Sequence, residues 1–169
     1  MKVFLHSRPP GARRGMLGWP LNMPLRALPL ILFVAMLGCA YRQTAEEPLT
    51  LVWLPDGTEI RVEVMTRPED MARGMMFRDS LAADRGMLFV HDRPGRYRYW
   101  MYQCLIPLDI LWLDSSKRIV EISADTPPCK TEAEACPTYG GNYDAQYVLE
   151  LAAGSAARHG LKPGDAIRF

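Results

Sequence analysis

The sequence predicts an α+β domain with mostly antiparallel β-strands, arranged as a compact barrel-like sheet of about eight strands with two short helices. Three observations support this fold class. Short segments alternate apolar and polar residues, clusters of Gly, Pro, Asp and Ser separate them, and only two segments carry helix signals. Because short turns rather than helices connect most of these segments, neighbouring strands are expected to pair antiparallel.

A hairpin opens the predicted domain, with strands over residues 49–54 and 58–65 and the turn Pro55-Asp56-Gly57 between them. Five more strand candidates and one final strand follow. The five candidates cover residues 86–90, 97–103, 109–113, 118–124 and 146–151, and the last strand comes after the turn Lys162-Pro163-Gly164-Asp165.

Two segments have helix signals. Thr66 and Glu69 have the spacing of a capping box, and Gly74 ends that segment after about two turns. Residues 153–159 form the second candidate, which ends at Gly160.

Composition indicates one globular domain and argues against nucleic-acid binding. The chain has 169 residues, of which 49% are apolar, enough to build a core. Five basic residues and no acid precede Cys39, and the 15 basic and 19 acidic residues after it leave a net charge of −4. These scattered charges lack the basic face of a nucleic-acid-binding protein, so no nucleic-acid partner is expected.

Residues 1–38 have the features of an export signal with a leader. Residues 27–37 carry no charge and are too few to span a bilayer, but they suit the apolar core of a signal peptide. Arg26 precedes this run, and Met36-Leu37-Gly38-Cys39 follows it and resembles a lipobox. We therefore predict lipidation of Cys39. The alternative, a core helix ending in Gly-Cys, would show polar residues on one face, and this run has none.

The predicted boundaries then follow. Residues before Met23 are rich in Gly and Pro, so Met23 is an alternative start. Arg13-Arg14 resembles a twin-arginine signal, but the apolar core lies well downstream of it.

Residues 39–48 are predicted to form a tether and residues 49–169 a single domain. The expected location is the cell envelope, with a lipid anchor in the membrane and the domain facing the periplasm or the exterior.

Six phrases carry a family resemblance, and they occur in the order Arg73-Gly74-Met75-Met76-Phe77-Arg78, Gly86-Met87-Leu88-Phe89, Tyr99-Trp100-Met101, Leu105-Ile106-Pro107-Leu108-Asp109, Tyr147-Val148-Leu149-Glu150-Leu151 and Gly160-Leu161-Lys162-Pro163-Gly164-Asp165. Together they resemble the family called domain of unknown function 192, over residues 49–169. The resemblance implies a small, often exported β-rich fold and no particular activity. Tyr102, Gln103 and Cys104 replace the family's usual Lys-Asn-Thr, so no role tied to that Lys or Asn carries over.

No catalytic residue, metal ligand or cofactor is predicted. His91 and His159 lie beside turn signals and far apart in the sequence, and no serine has the surroundings of a nucleophile elbow. No Gly-rich loop at a strand-to-helix junction could hold a phosphate.

Methionine offers one alternative function. Thioether sulfur suits Cu(I), so the alternative is a methionine-based copper carrier. Core packing is the preferred interpretation, since Met71 and Met75 share a helical face and Met87 and Met101 lie in apolar strands. The six methionines concerned are Met65, Met71, Met75, Met76, Met87 and Met101.

Asp109 is the acid with the most apolar surroundings that we identify, and a buried carboxylate needs partners. Those partners are either an arginine, Arg73 or Arg78, or backbone N–H groups. A further hypothesis makes Asp109, Trp100, Gln103 and an arginine one wall of a binding pocket. Aromatic and arginine side chains commonly hold sugars, peptides and protein partners. We therefore expect a non-enzymatic domain that binds a small molecule or an envelope protein; a hydrolase or transferase with its pocket at Asp109 is the alternative.

Cys129 and Cys136 are predicted to form a disulfide. An exported chain meets an oxidising compartment, and these two cysteines bracket a polar loop. Cys104 then remains free. A two-cysteine metal loop is the alternative, but no nearby His or Cys completes its ligands.

Overall fold

The computed structural model describes residues 49–169, and the predicted signal, tether and lipidation site lie outside these residues. Its elements, in chain order, are β1 (Thr50–Trp53), β2 (Glu59–Met65), α1 (Pro68–Arg73), β3 (Arg85–Gly95), β4 (Arg98–Trp100), β5 (Leu108–Leu113), β6 (Ile119–Thr126), a 3-10 turn (Ala133–Ala135), β7 (Thr138–Gly140), β8 (Ala145–Ala152) and α2 (Ser155–Arg158).

Six strands form the main sheet in the order β1-β2-β3-β8-β5-β6, and β4 and β7 form a separate two-stranded sheet. Every pair is antiparallel except β2 with β3. The connection through α1 makes this parallel pair possible, because parallel neighbours need a long crossover. The predicted α+β class, mostly antiparallel with two short helices, is confirmed. The sheet is compact but open.

The main sheet is buried on both faces at its centre, whereas β1 and β2 expose part of one face. Aliphatic residues such as Val62 and Leu111 fill one side, and methionine and aromatic residues such as Met87 and Trp112 fill the other. Every residue of β5 is buried, as expected for a strand covered on both faces.

Local details differ from the predictions at both ends of the domain. Arg67 rather than Thr66 is the N-cap of α1, with no side-chain cap bond, so the capping box does not form; Pro68 in the first turn suits the helix start instead. The predicted last strand makes isolated bridges, one of them from Arg168 to Trp53. Neither α1 nor α2 is long and apolar enough to cross a membrane, and residues 49–169 contain no other α-helix.

Candidate functional site

Glu150 is a buried acid at the centre of the main sheet. It lies on β8, between Met87 of β3 and Ile110 of β5. Its exposed fraction is 5%, and its Oε2 has no hydrogen-bond partner among the residues described. Burial raises the pKa of its carboxyl to about 8, against the opposing effect of the positive charge of Arg78. The side chain is therefore mostly protonated at neutral pH.

A small cavity of about 40 Å³, here called the Glu150 cavity, borders this acid. It has room for one ion or a few water molecules. The chain around α1 contributes most of the lining, β4 contributes two aromatic side chains, and β3 and β8 contribute Phe89 and Glu150. The lining residues are Met71, Ala72, Arg73, Gly74, Met75, Met76, Phe89, Tyr99, Trp100, Cys104 and Glu150.

Cys104 and Tyr99 give this cavity two further buried titratable groups. Burial, followed by the negative charge of Glu150, raises the pKa of the Cys104 thiol to about 11. The same two causes raise the pKa of Tyr99 above its ordinary value. The Tyr99 hydroxyl lies 3.0 Å from Nε2 of His91, and its ring packs edge-on against Phe89. All three acids at the cavity therefore favour their protonated forms.

A groove of about 340 Å³, here called the Phe77 groove, lies on one side of α1. Arg78 donates two hydrogen bonds to Glu63 there, at 2.5 and 2.6 Å, which lower the pKa of Glu63. The Phe77 side chain is 57% exposed. The lining residues are Glu63, Val64, Met65, Asp70, Arg73, Gly74, Met76, Phe77 and Arg78.

The backbone of Phe77 is held in an unusual conformation. Its φ angle is 64°, in the left-handed region that large residues rarely adopt. Its N–H donates a 2.9 Å hydrogen bond to the carbonyl oxygen of Gln103, whose own φ is 57°. This contact brings Phe77 next to the chain segment that contains Cys104. Strained conformations of this kind often occur at binding sites.

A third space, here called the Trp100 groove, has a volume of about 300 Å³ and also borders α1. Trp100 is 41% exposed there, and the rings of His91 and Tyr97 stack with centroids 3.5 Å apart. The lining residues are Pro68, Met71, Ala72, His91, Tyr97, Arg98, Tyr99 and Trp100. Residues of α1 line all three spaces. Each groove also shares lining residues with the Glu150 cavity.

The structure brings together three of the five residues predicted for the binding pocket. Arg73 lines the Phe77 groove and the Glu150 cavity, Arg78 lines the Phe77 groove, and Trp100 lines the cavity and its own groove. Gln103 and Asp109 line none of these three spaces. The side chain of Gln103 donates a hydrogen bond from Nε2 to the hydroxyl of Tyr102, at 3.4 Å.

Asp109 has the backbone partners rather than the arginine. Its carboxylate is fully buried and accepts hydrogen bonds from the N–H groups of Asp125, at 2.7 Å, and Ala156, at 2.6 Å. Among residues 49–169, no ion pair within 4 Å joins Asp109 to an arginine, and Arg78 pairs with Glu63 instead. Of the two alternatives, the backbone partners are confirmed and the arginine pair is wrong, because two backbone donors already satisfy this carboxylate.

Glu150 is the site residue that the sequence reasoning missed. Its signal is the same as that of Asp109, a single acid inside an apolar strand, here in the phrase Tyr147-Val148-Leu149-Glu150-Leu151. Both acids are buried, but only Glu150 keeps an unpartnered oxygen.

The predicted cysteine pair is joined in the structure. The sulfur atoms of Cys129 and Cys136 lie 2.04 Å apart, and Cys104 is free and buried. The N–H of Cys129 donates a 3.0 Å hydrogen bond to the carbonyl oxygen of Met101. The disulfide loop therefore packs on the segment that leads to Cys104.

These features define the class of the domain: a small open-sheet α+β fold in which one short helix is flanked by two grooves and adjoins a cavity with a buried carboxyl group. The chain belongs to the family domain of unknown function 192, described as Uncharacterized ACR, whose model matches residues 51–169. The family resemblance noted in the sequence is thereby confirmed.

Solved structures similar to this chain include two bacterial proteins, and no curated protein matches it. A protein of unknown function from Novosphingobium aromaticivorans DSM 12444 is 28% identical, with a TM-score of 0.67 over 77% of this chain and 91% of that one. A protein from Sinorhizobium meliloti 1021, described as a candidate transcription regulator, is 31% identical, with a TM-score of 0.62 over 70% of this chain and 89% of that one.

Proposed function

We propose that this chain is a lipid-anchored envelope protein whose domain binds a ligand, without catalysis, in the two grooves beside α1. The observation that carries the proposal is the pair of exposed aromatic side chains in these grooves, Phe77 and Trp100. Concave sites lined by apolar and aromatic side chains with a few polar groups are the usual form of a binding site.

The charge of the grooves indicates the chemistry of the ligand. Arg73 is exposed, lines the Phe77 groove, and has no ion pair within 4 Å among residues 49–169. Its guanidinium group is therefore available to a carboxylate or another planar anion. Together with the aromatic surfaces of Phe77 and Trp100, it favours a ligand with both an apolar part and an anionic part, such as a peptide or an acidic sugar.

The titratable groups near α1 support binding rather than catalysis. A hydrolase or transferase needs a nucleophile or a base that is deprotonated at working pH. Glu150, Cys104 and Tyr99 all have raised pKa values and keep their protons, which makes them hydrogen-bond donors. Asp109, the acid of the enzymatic alternative, already accepts two backbone hydrogen bonds, so that alternative has no residue-level support.

Native mass spectrometry tests the binding proposal. The full-length protein, extracted from the envelope in detergent, is expected to carry a ligand mass above that of the lipidated polypeptide. Phe77→Ala and Trp100→Ala should lose this mass. Tyr143→Ala is the matched control, since Tyr143 is 58% exposed but lies outside both grooves. A bare polypeptide in every sample, or equal retention in all three variants, would contradict the proposal.

The anchor is tested separately. The charge-free run at residues 27–37 and the Gly38-Cys39 that follows it support lipidation of Cys39. The wild-type chain should fractionate with membranes and carry a lipid mass on Cys39, and Cys39→Ala should lose both properties. An unmodified peptide that reads continuously through Leu37-Gly38-Cys39-Ala40 in a membrane-free extract argues against the anchor.

A further inference from the structure

Sulfur atoms and one unpartnered carboxyl oxygen surround the Glu150 cavity. Met71, Met75, Met76 and Cys104 all line this space of about 40 Å³. Glu150 lies in the same lining, and its buried Oε2 has no hydrogen-bond partner among the residues described. The two grooves differ from this cavity because neither contains a thiol.

This set of donors matches a soft monovalent cation. Thioether and thiolate sulfur prefer Cu(I) over the divalent ions that oxygen and imidazole ligands bind. Among residues 49–169, no group of three His, Cys, Asp or Glu side chains is placed to hold a metal ion. A site in this cavity would therefore depend on thioethers together with the Cys104 thiol and the Glu150 carboxyl, each of which releases its proton to solvent as the ion binds. We propose that the Glu150 cavity binds one Cu(I) ion through Met75, Cys104 and Glu150, with Met71 and Met76 as neighbouring thioethers.

Core packing alone does not account for the arrangement. Met87 and Met101 are 0% and 1% exposed and belong to the same apolar cluster, yet neither lines the cavity. These two methionines fill space as leucine would. A buried carboxyl oxygen without a partner destabilises a purely apolar core, because it loses its hydrogen bonds to water and gains none. A bound cation would provide the missing partner of Glu150.

Two methionines of the cavity lining also line the grooves. Met71 also lines the Trp100 groove, and Met76 also lines the Phe77 groove. Each groove therefore shares one thioether with the cavity, which gives an ion a soft ligand at the border of both spaces. Arg73 is the cationic side chain of the lining, and because it is exposed, solvent screens its repulsion of the ion.

The test is a competitive titration with Cu(I), and with Ag(I) as its redox-inert analogue, against a chelator of known affinity. The protein is the full-length chain carrying Cys39→Ala, so that the thiol of Cys39 does not compete. We expect one ion per chain, with sulfur scatterers in the X-ray absorption spectrum. Met75→Leu and Cys104→Ala should each weaken binding about tenfold or more, the size of effect seen when a metal site loses a ligand or its support.

Met87→Leu is the matched control, because it makes the same chemical change in the same cluster but outside the cavity. It should bind Ag(I) as tightly as the parent chain. Unchanged affinity in both Met75→Leu and Cys104→Ala would overturn the proposal, as would an equal loss in Met87→Leu. If no Ag(I) binds while the chain keeps a Trp100-dependent ligand mass, only the proposal of a metal site is wrong. If Ag(I) binds at the cavity and no such ligand mass is found, only the proposal of ligand binding in the grooves is wrong.

Discussion

Asp109 and Ala156 lie 47 residues apart in the sequence and are joined by a 2.6 Å hydrogen bond from the backbone N–H of Ala156 to Oδ2 of Asp109. The other oxygen, Oδ1, accepts the N–H of Asp125, a residue with φ of 47°. One carboxylate therefore connects β5 to the first turn of α2 and to the end of β6.

Replacing Asp109 should therefore reduce stability rather than ligand binding. Asp109→Ala leaves two N–H groups without their acceptor, and we expect a loss of about 3 to 6 kcal/mol in the free energy of unfolding, at roughly 1.5 to 3 kcal/mol for each hydrogen bond. Urea denaturation measures this change. Asp144→Asn, at an exposed residue, is the control and should stay within about 0.5 kcal/mol. A variant that keeps its stability but loses its ligand would show that Asp109 serves binding.

Glu150 should make the stability of the metal-free chain depend on pH. Its pKa rises from 4.5 to about 8 on folding, so between these values the folded chain holds a proton that the unfolded chain has released. Stability must then fall as the pH rises from about 4.5 to about 8.

Glu150→Gln should remove that pH dependence. Relative to the parent chain, the variant should gain stability between pH 5 and pH 8, by up to roughly 4 kcal/mol at about 1.4 kcal/mol per pKa unit. Denaturation at a series of pH values measures the slope. Glu134→Gln, at an exposed residue, is the control and should leave the slope unchanged. If the free energies of unfolding of Glu150→Gln and the parent chain change with pH in parallel, the carboxyl of Glu150 ionises normally in the folded chain.

The Glu63 and Arg78 pair should contribute modestly to stability. Both side chains are partly exposed, so solvent weakens the attraction, but the two-point geometry favours it. A double-mutant cycle with Glu63→Gln and Arg78→Gln should give a coupling of about 0.5 to 1 kcal/mol. Because the pKa of Glu63 is lowered, the coupling should be present above pH 4.5 and disappear as the pH falls below it.

The ion pair between Arg61 and Asp84 provides the comparison, since its side chains are about half exposed, at 52% and 48%. Its coupling should be smaller than that of Glu63 with Arg78. A double-mutant cycle at Arg61 and Asp84 measures this coupling. If it equals the coupling of Glu63 with Arg78, then partial burial and two-point geometry add nothing to the interaction free energy of the Glu63 and Arg78 pair.

The disulfide between Cys129 and Cys136 should stabilise the domain by closing an eight-residue loop. The chain-entropy estimate for a loop of this size is about 2 to 3 kcal/mol, which the paired variant Cys129→Ser with Cys136→Ser should lose. Thiol titration in denaturant, on the Cys39→Ala chain, should detect Cys104 before reduction and all three remaining cysteines afterwards. Three thiols without reductant would contradict the bridge.

Local patterns in the sequence predicted the strands well, because alternation of apolar and polar residues depends on which face of each strand is buried. The hairpin of β1 and β2 follows from that alternation and from its turn residues. The parallel pairing of β2 with β3 did not follow, because it depends on where the chain returns after α1. The separate β4–β7 sheet pairs strands of only three residues, too short to show a period.

The candidate site was predictable only in part, for a similar reason. Arg73, Arg78 and Trp100 were identified from residue type and do lie around α1. Asp109 and Glu150 have equivalent sequence surroundings, yet one meets two N–H groups and the other faces a cavity. Only the tertiary arrangement of α2 and β6 around Asp109 separates them.

The short helix α1 should open locally more easily than the main sheet. None of its six residues is buried, and no side chain caps its N-terminus. Elements with so few buried contacts open locally at a much lower free energy than the core strands. Amide hydrogens of α1 should therefore exchange with solvent far faster than those of the fully buried β5, and the Glu150 cavity can be exposed while the main sheet stays folded.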